Sequence, residues 1–221
     1  MAKFKAILFD LDGTLVDSEH FHFSTWNEVL AESDVQLDYT DFIKNYAGVP
    51  LPSNAKKLKE LYSIESPLEL LIARKERLNV ERLKTIEIGL MPYVQETLDF
   101  FTETGVEMAL VTASPRNDVN EMFSKNGLGK YFSLLITRSD VQHSKPHPES
   151  YNLAVEKLGF QKSECLVFED TLNGLNAAKA AGLTCFVIQA NTEDHEKLAA
   201  ADQIFTDFGQ ARLYLLQEGL I

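Results

Sequence analysis

The sequence predicts an α/β fold in which a doubly wound parallel sheet carries an inserted block of helices. The first observation is the continuous apolar run Ala6–Phe9, which is typical of a strand buried on both faces of a parallel sheet. The second is the alternation of short apolar runs with helical patterns from Met91 onward, which indicates strands joined by crossover helices. The third is the segment 17–87, which shows helical periodicity and no convincing strand.

The inserted segment starts where Asp17 or Ser18 could cap a helix. Apolar residues at helical spacing then predict three helices. They are marked by Phe23, Trp26 and Leu30, by Leu58 and Leu61, and by Leu68, Leu71 and Ile72. The last helix is expected to run through the charged stretch ARKERLNVERLK.

After the insertion, strands and helices are predicted to alternate to the end of the chain. Pro92 suits the first turn of a helix, and Gly105 suits its end. The predicted strands are Met108–Val111, Leu134–Ile136, Cys165–Phe168, Cys185–Ile188 and a short one at Ile204 and Phe205. The other predicted helices are about Asn117–Lys125, Glu149–Lys157, Leu172–Ala181 and Ala211–Gln217.

Composition narrows the class of protein. The 221 residues suit one or two domains, and 45% hydrophobic residues suffice for a sizeable core. The net charge of −12 argues against nucleic acid or an anionic membrane as a partner, because both require a basic patch. The same negative charge also disfavours long-range attraction of an anionic substrate. If the substrate carries a phosphate group, that group must therefore be captured locally by a metal, a lysine and backbone N–H groups. Cys165 and Cys185 lie in apolar runs and are expected to be buried free thiols.

The chain shows no signal peptide and no apolar stretch approaching the roughly 20 residues that span a bilayer. The cytoplasm is therefore the expected compartment.

Two carboxylates follow the first strand. Asp10 and Asp12 are two positions apart, so both point to one side of an extended chain, and Gly13 allows the chain to turn away. In open α/β sheets, ligands bind at this carboxyl end of the strands. Like charges this close require a cation or a proton, and Mg²⁺ suits oxygen ligands. One carboxylate could then attack as a nucleophile while the other moves a proton. The alternative is a solvated strand end in which Asp-Gly serves only as a turn.

Three further strand ends carry polar residues. Thr112–Ser114 offers hydroxyl and N–H groups for phosphoryl oxygens, Lys145 offers a positive charge, and Glu169 with Asp170 forms a second acidic pair. Each feature alone has a simpler explanation: a helix cap, a surface lysine and an acidic first turn of a helix. Their expected convergence at one sheet edge favours a site for a metal and a phosphate group.

Together these motifs resemble the haloacid dehalogenase superfamily, on its phosphatase and phosphomutase side. The segments DLDGTLVDSE, VTAS, SKPHPES and FEDTLNG occur in the order and at the spacing of that family, over nearly the whole chain. The resemblance implies a Rossmann-like core at residues 1–16 and 88–221, with an all-helical cap domain at residues 17–87.

The resemblance also implies roles for the site residues. Asp10 would be the nucleophile that forms an aspartyl-phosphate, and Asp12 the general acid/base. Thr112 and Lys145 would hold the transferring phosphoryl group. The cofactor would be Mg²⁺, with the ligands Asp10, the main-chain oxygen of Asp12, and Asp170, and with Glu169 close by. Asp12 argues against the dehalogenase and phosphonate-cleaving branches, which lack this residue.

Within the superfamily the chain most resembles the β-phosphoglucomutase-like subfamily, which includes sugar-phosphate phosphatases. The mutases have a histidine at the position of His22, although a partly buried helix-face histidine is the alternative. Thr14 is the commoner choice in phosphatases. The mutases grip a second phosphate with an arginine just past the glycine of the cap, whereas Gly48 is followed by no cation.

The charged run of the cap could supply other cations through Lys75 and its neighbours Arg74 and Arg77, with a solvated helix face as the alternative. The residues predicted to bind the substrate are Thr14, Glu19, His22, Lys75, Ala113 and Ser114.

We therefore expect a Mg²⁺-dependent phosphatase of a small phosphorylated metabolite, with sugar phosphates as the substrate class. The enzyme alternative is a phosphotransferase of the β-phosphoglucomutase type. A non-catalytic phosphate-ester-binding protein on the same fold would lack one of four residues, and all four are present: Asp10, Asp12, Lys145 and Asp170. The expected partner is the small phosphate ester, bound by a monomer or weak homodimer.

Overall fold

A computed structural model describes residues 3–221 of the chain, apart from the side chain of Asp194. Its strands are β1 Ala6–Phe9, β2 Glu107–Val111, β3 Leu134–Ile136, β4 Cys165–Glu169, β5 Thr184–Ile188 and β6 Gln203–Phe205. All pair in parallel in one sheet, in the order β3-β2-β1-β4-β5-β6. This confirms the predicted α/β fold class, with helices alone inserted between β1 and β2.

Nine α-helices lie within the described residues. Four precede β2: α1 Glu19–Leu30, α2 Tyr39–Asn45, α3 Leu51–Leu61 and α4 Leu68–Leu83. Five follow: α5 Val94–Thr104, α6 Arg116–Asn126, α7 Glu149–Leu158, α8 Leu172–Ala180 and α9 Phe208–Gln217. The sequence missed only α2, whose single buried side chain is Phe42 and whose N-cap Asp38 accepts from the N–H of Asp41. A helix of two turns with one buried residue carries too little periodicity to detect.

Two helix starts differ from the prediction. Pro92 lies before α5 instead of in its first turn, because the helix begins at Val94 after a left-handed Tyr93 with φ 63°. Ser18 does precede α1, but its hydroxyl makes no capping hydrogen bond. It donates instead to Asp12 Oδ1 at 2.6 Å. A residue expected to start a helix therefore belongs to the site described below.

Strand β1 lies near the middle of the sheet and pairs in register with both of its neighbours. Phe9 pairs with Leu110 of β2 and with Phe168 of β4, so the three strands end side by side. Successive β1 residues contribute to different apolar clusters, with Ile7 in one and Leu8 in the other. Both faces of the sheet are thus buried, which explains the uninterrupted apolar run.

The inserted helices have an apolar cluster of their own. It includes Trp26 of α1, Phe42 of α2, Leu58 of α3 and Leu71 of α4. This cluster supports a separate helical domain, but the predicted limits at residues 1–16, 17–87 and 88–221 stay a proposal. Residues 1 and 2 of the predicted core lie outside the described residues.

Cys165 and Cys185 are buried free thiols, as predicted. None of the helices in the described part of the chain combines the length and apolarity needed to cross a membrane. The cytoplasmic location and the monomeric or weakly dimeric state stay predictions.

Candidate active site

The polar strand ends meet at one edge of the sheet, with Lys145 at their centre. Its Nζ donates hydrogen bonds to Asp10 Oδ1 at 2.6 Å, Glu169 Oε1 at 2.6 Å and the Val111 carbonyl at 2.7 Å. One buried ammonium group therefore joins the ends of three strands. Burial alone would lower the pKa of Lys145, but the charges of Asp10 and Glu169 raise it above its usual range. The amine stays protonated and can face a phosphoryl group.

The two carboxylates bound to this lysine, Asp10 and Glu169, form a buried cluster with Asp170. Single oxygens of Asp10, Glu169 and Asp170 lie within 4.8 Å of one another. Burial, together with the charges of the neighbouring carboxylates, raises the pKa of Asp10 and of Asp170, although Lys145 opposes the rise at Asp10. The Thr14 hydroxyl donates to Asp170 Oδ1 at 3.0 Å. Three carboxylates against one ammonium leave negative charge that a divalent cation would neutralise, and an all-oxygen donor set fits Mg²⁺.

Two glycines make room for these carboxylates. A Cβ at Gly13, where φ is +78°, would lie 2.2 Å from Asp170 Oδ2. A Cβ at Gly174 would lie 1.9 Å from the Glu169 carboxyl carbon. Glycine is therefore a steric requirement at both positions.

Asp12 lies in a separate network beside the cluster. Its Oδ1 accepts from Ser18 at 2.6 Å and lies 3.2 Å from His22 Nε2, while Oδ2 accepts from the Ser114 hydroxyl. Burial would raise the pKa of Asp12, but the hydrogen bond and charge of His22, with the two serines, lower it to about 2. His22 thus contacts a site carboxylate directly. Asp12 is ionised at neutral pH and is able to accept a proton.

The segment Thr112–Ser114 offers fewer donors than the sequence indicates. The Thr112 N–H donates to the Ile136 carbonyl at 2.9 Å, and the Ser114 N–H donates to Thr112 Oγ1 at 3.0 Å. The fold therefore uses two of the three N–H groups. The Thr112 hydroxyl proton and the Ala113 N–H are left for a ligand, and both residues line the cavity described next.

A cavity of about 340 Å³ lies between the sheet edge and the inserted helices. Its walls include the carboxylates Asp10, Asp12 and Asp170 from the sheet side. The helical side closes over it where Asn173 Nδ2 donates to the Gly48 carbonyl at 2.9 Å. A Cβ at Gly48 would lie 2.3 Å from Thr171 Cγ2, so glycine is needed for this contact too.

Lys75 faces the cavity from α4 and is only 2% exposed, so the solvated helix face considered for this run does not apply to it. Its Nζ donates to Asn79 Oδ1 at 2.5 Å, and Asn79 Nδ2 donates to Asp118 Oδ2 at 3.0 Å. The ammonium also lies 5.6 Å from the Trp26 ring centre. Burial lowers the pKa of Lys75 to about 7. Arg77 remains exposed, opposite Glu81.

Two further cations line the cavity, although neither directly follows Gly48 in the sequence. They are Lys44 and Lys197. Lys44 belongs to α2, the helix that periodicity did not reveal. Glu19, which the sequence predicts to bind the substrate, lines the cavity, and burial raises its pKa.

Tyr151 is a site residue that the sequence gave no reason to select. It is fully buried on α7, its hydroxyl donates to Glu169 Oε1 at 2.5 Å, and its ring centre lies 4.9 Å from Lys145 Nζ. In the sequence it is one apolar-face position of an amphipathic helix. Only the tertiary structure shows that it holds the carboxylate to which Lys145 binds.

A Tyr151→Phe variant is expected to lower kcat about tenfold and to leave KM nearly unchanged, because Glu169 loses a donor and Lys145 shifts relative to Asp10. Steady-state kinetics with any phosphate ester that the protein hydrolyses measures the effects on kcat and KM separately. Tyr131→Phe is the matched control, since the Tyr131 hydroxyl bonds to Asp99 away from the cavity. An unchanged kcat in Tyr151→Phe would contradict the positioning role.

The chain is similar to known proteins over most of its length. A family model described as haloacid dehalogenase-like hydrolase matches residues 7–188. A relative from Thermotoga maritima, named phosphorylated carbohydrates phosphatase, is 33% identical over 81% of this chain and 82% of its own. A second, from Streptomyces hygroscopicus subsp. limoneus, is named validoxylamine A 7'-phosphate phosphatase. It is 31% identical over 95% of this chain and 96% of its own.

Among solved structures, CbbY from Rhodobacter sphaeroides in complex with phosphate superposes with a TM-score of 0.83. It is 27% identical, and the match covers 93% of this chain and 95% of that one. The similarity therefore extends through both the sheet and the inserted helices.

Proposed function

Because the chain belongs to the haloacid dehalogenase-like hydrolases and is a phosphoric monoester hydrolase of that family, we propose that it is a Mg²⁺-dependent phosphatase of small sugar phosphates. The observation that carries this proposal is the contact of Lys145 with Asp10 and Glu169 at the cavity wall, beside the Asp12 network. The name of the Thermotoga relative supports the carbohydrate substrate class.

The metal would be held by the carboxylates of Asp10 and Asp170 and the main-chain oxygen of Asp12, with Glu169 close by. Bound Mg²⁺ supplies positive charge that neutralises the phosphoryl oxygens. Lys145 adds a second positive charge, and the Thr112 hydroxyl and Ala113 N–H add neutral donors. Catalysis by this set is mainly positioning and charge stabilisation.

Asp10 attacks the phosphorus atom, and the bond from phosphorus to the ester oxygen breaks. Asp12, ionised in the free protein, takes up the proton that a phosphate monoester monoanion brings with it and passes it to the leaving oxygen, and an aspartyl-phosphate remains on Asp10. Asp12 then takes a proton from water, which attacks phosphorus and releases inorganic phosphate with Asp10 restored. The network of Ser18, His22 and Ser114 keeps the Asp12 carboxylate ionised for this second step.

The cavity limits the substrate to a small molecule. A volume of about 340 Å³ lies at the low end of the range for ligand sites, which suits one sugar-sized group. Lys75, Asn79 and Trp26 line it from the inserted helices and would contact the substrate from that side. Polar donors beside an aromatic ring are suited to hydroxylated ligands.

The proposal is tested by incubating the protein with a panel of phosphorylated sugars and nucleotides, with and without Mg²⁺. We expect Mg²⁺-dependent phosphate release from one or more sugar phosphates without any added bisphosphate. Phosphorus NMR of the products separates this from mutase activity, which would yield an isomerised sugar phosphate and require the bisphosphate. The proposal would be overturned if phosphate were released from none of the compounds.

A further inference from the structure

The loop that carries Lys145 has a second set of polar side chains on its outer surface. It connects β3 to α7. Lys145 points inward to Asp10, while His143, His147 and Glu149 form a cluster outside. The His143 and His147 side chains are 63% and 52% exposed, so this cluster is open to solvent. It takes no part in the phosphatase site.

The donor atoms of the cluster are already close together. His143 Nδ1 lies 2.8 Å and His147 Nδ1 lies 3.8 Å from Glu149 Oε2. One donor atom from each of the three residues lies within 4.8 Å of the others. Bonds of about 2.1 Å at a tetrahedral ion place neighbouring donors about 3.4 Å apart, so small side-chain movements suffice to bind one ion.

The carboxylate of the cluster is held in place by the backbone. Glu149 Oε1 accepts from the Gln142 N–H at 2.8 Å, and Oε2 accepts from the His143 N–H at 2.9 Å. These hydrogen bonds, with that from the His143 ring, lower the pKa of Glu149 to about 2. Outer hydrogen bonds of this kind orient a metal ligand before the ion arrives.

We propose that His143, His147 and Glu149 form a surface site for one transition-metal ion of the Zn²⁺ type. Two imidazoles and one carboxylate are typical ligands of Zn²⁺, Co²⁺ and Cu²⁺, and water completes the shell. Mg²⁺ prefers oxygen donors and belongs to the buried carboxylates instead. The two sites would therefore bind different metals, because their ligand atoms differ.

The site has a structural consequence for the phosphatase centre. The two histidines lie two residues before and two residues after Lys145. An ion bound to both would restrain the loop on each side of the lysine. Binding to the folded state alone also raises the melting temperature by linkage.

The test is titration of the full chain with Zn²⁺ by calorimetry in saturating Mg²⁺, followed by electron paramagnetic resonance with Cu²⁺. We expect one Zn²⁺ per chain, and nitrogen hyperfine coupling to Cu²⁺. His143→Gln and His147→Gln should each weaken Zn²⁺ binding at least tenfold. The matched control is His195→Gln, because the ring of His195 contacts the Gln189 carbonyl elsewhere. That variant should bind as the unaltered chain does.

Circular dichroism confirms that each variant is folded before it is titrated. The proposal is overturned if the unaltered chain binds no Zn²⁺ in saturating Mg²⁺. It is also overturned if the nitrogen-coupled signal survives in the His143→Gln/His147→Gln double variant. Neither outcome depends on phosphatase activity, so this inference and the proposed function fail independently.

Discussion

An Asp10→Asn variant is expected to lose at least about four orders of magnitude in turnover while keeping its fold. The amide is close in shape to the carboxylate, and its oxygen can still accept the hydrogen bond from Lys145. It cannot, however, attack phosphorus to form an aspartyl-phosphate. Phosphate release under single-turnover conditions, with an ester identified by the substrate screen, gives the loss directly.

The controls for this variant separate chemistry from folding. Phosphate binding by calorimetry and thermal melting by circular dichroism should both stay close to those of the unaltered protein. Asp34→Asn makes the same chemical change in an exposed residue outside the cavity and should keep full activity. Substantial turnover by Asp10→Asn would rule out the aspartyl-phosphate route.

A Lys145→Met variant is expected to lose about 3–5 kcal/mol of unfolding free energy and roughly three orders of magnitude in turnover. Lys145 and Glu169 are 5% and 0% exposed, so removing the ammonium leaves buried carboxylates without their counter-charge. Urea denaturation monitored by fluorescence measures the loss of stability, and the phosphatase assay measures the loss of turnover.

Lys5→Met is the matched control, because Lys5 forms an ion pair with Glu164 at the surface, 57% and 25% exposed. A surface pair of this kind contributes at most about 1 kcal/mol. Adding Glu169→Gln to Lys145→Met should recover part of the lost stability, since it removes one unpaired charge. Equal stability losses in Lys145→Met and Lys5→Met would show that the buried network is not the source of the effect.

The core of the candidate site could be predicted because its residues follow strands. Asp10, Thr112 and Asp170 each come just after a short apolar run that periodicity identifies. Parallel strands bring their carboxyl ends to one edge, so the chain order of the motifs was enough to place them together. A longer loop separates Lys145 from β3. Lys145 was therefore predicted from its motif, SKPHPES, and not from its distance to the strand.

Residues on helices could not be placed in this way. Tyr151 occupies an ordinary buried position of α7, and Lys75 lies in a run where most charges face solvent. Both become site residues only because α7 packs beside Glu169 and α4 lies over the cavity. Helical periodicity identifies which face of a helix is buried and leaves open what that face contacts.

The sequence by itself determined the order of the strands and of every α-helix except α2, the insertion of helices after β1 and the group of polar residues at the strand ends. These features depend on local patterns, which each short segment carries independently of the rest. The tertiary structure alone decided that one lysine joins three strand ends, that Lys75 and Lys44 line the cavity, and that Ser18 binds Asp12. Such contacts join residues that are far apart in the chain, or residues that a particular turn brings together. Their energies depend on burial and on neighbouring charges, which exist only after the domains pack.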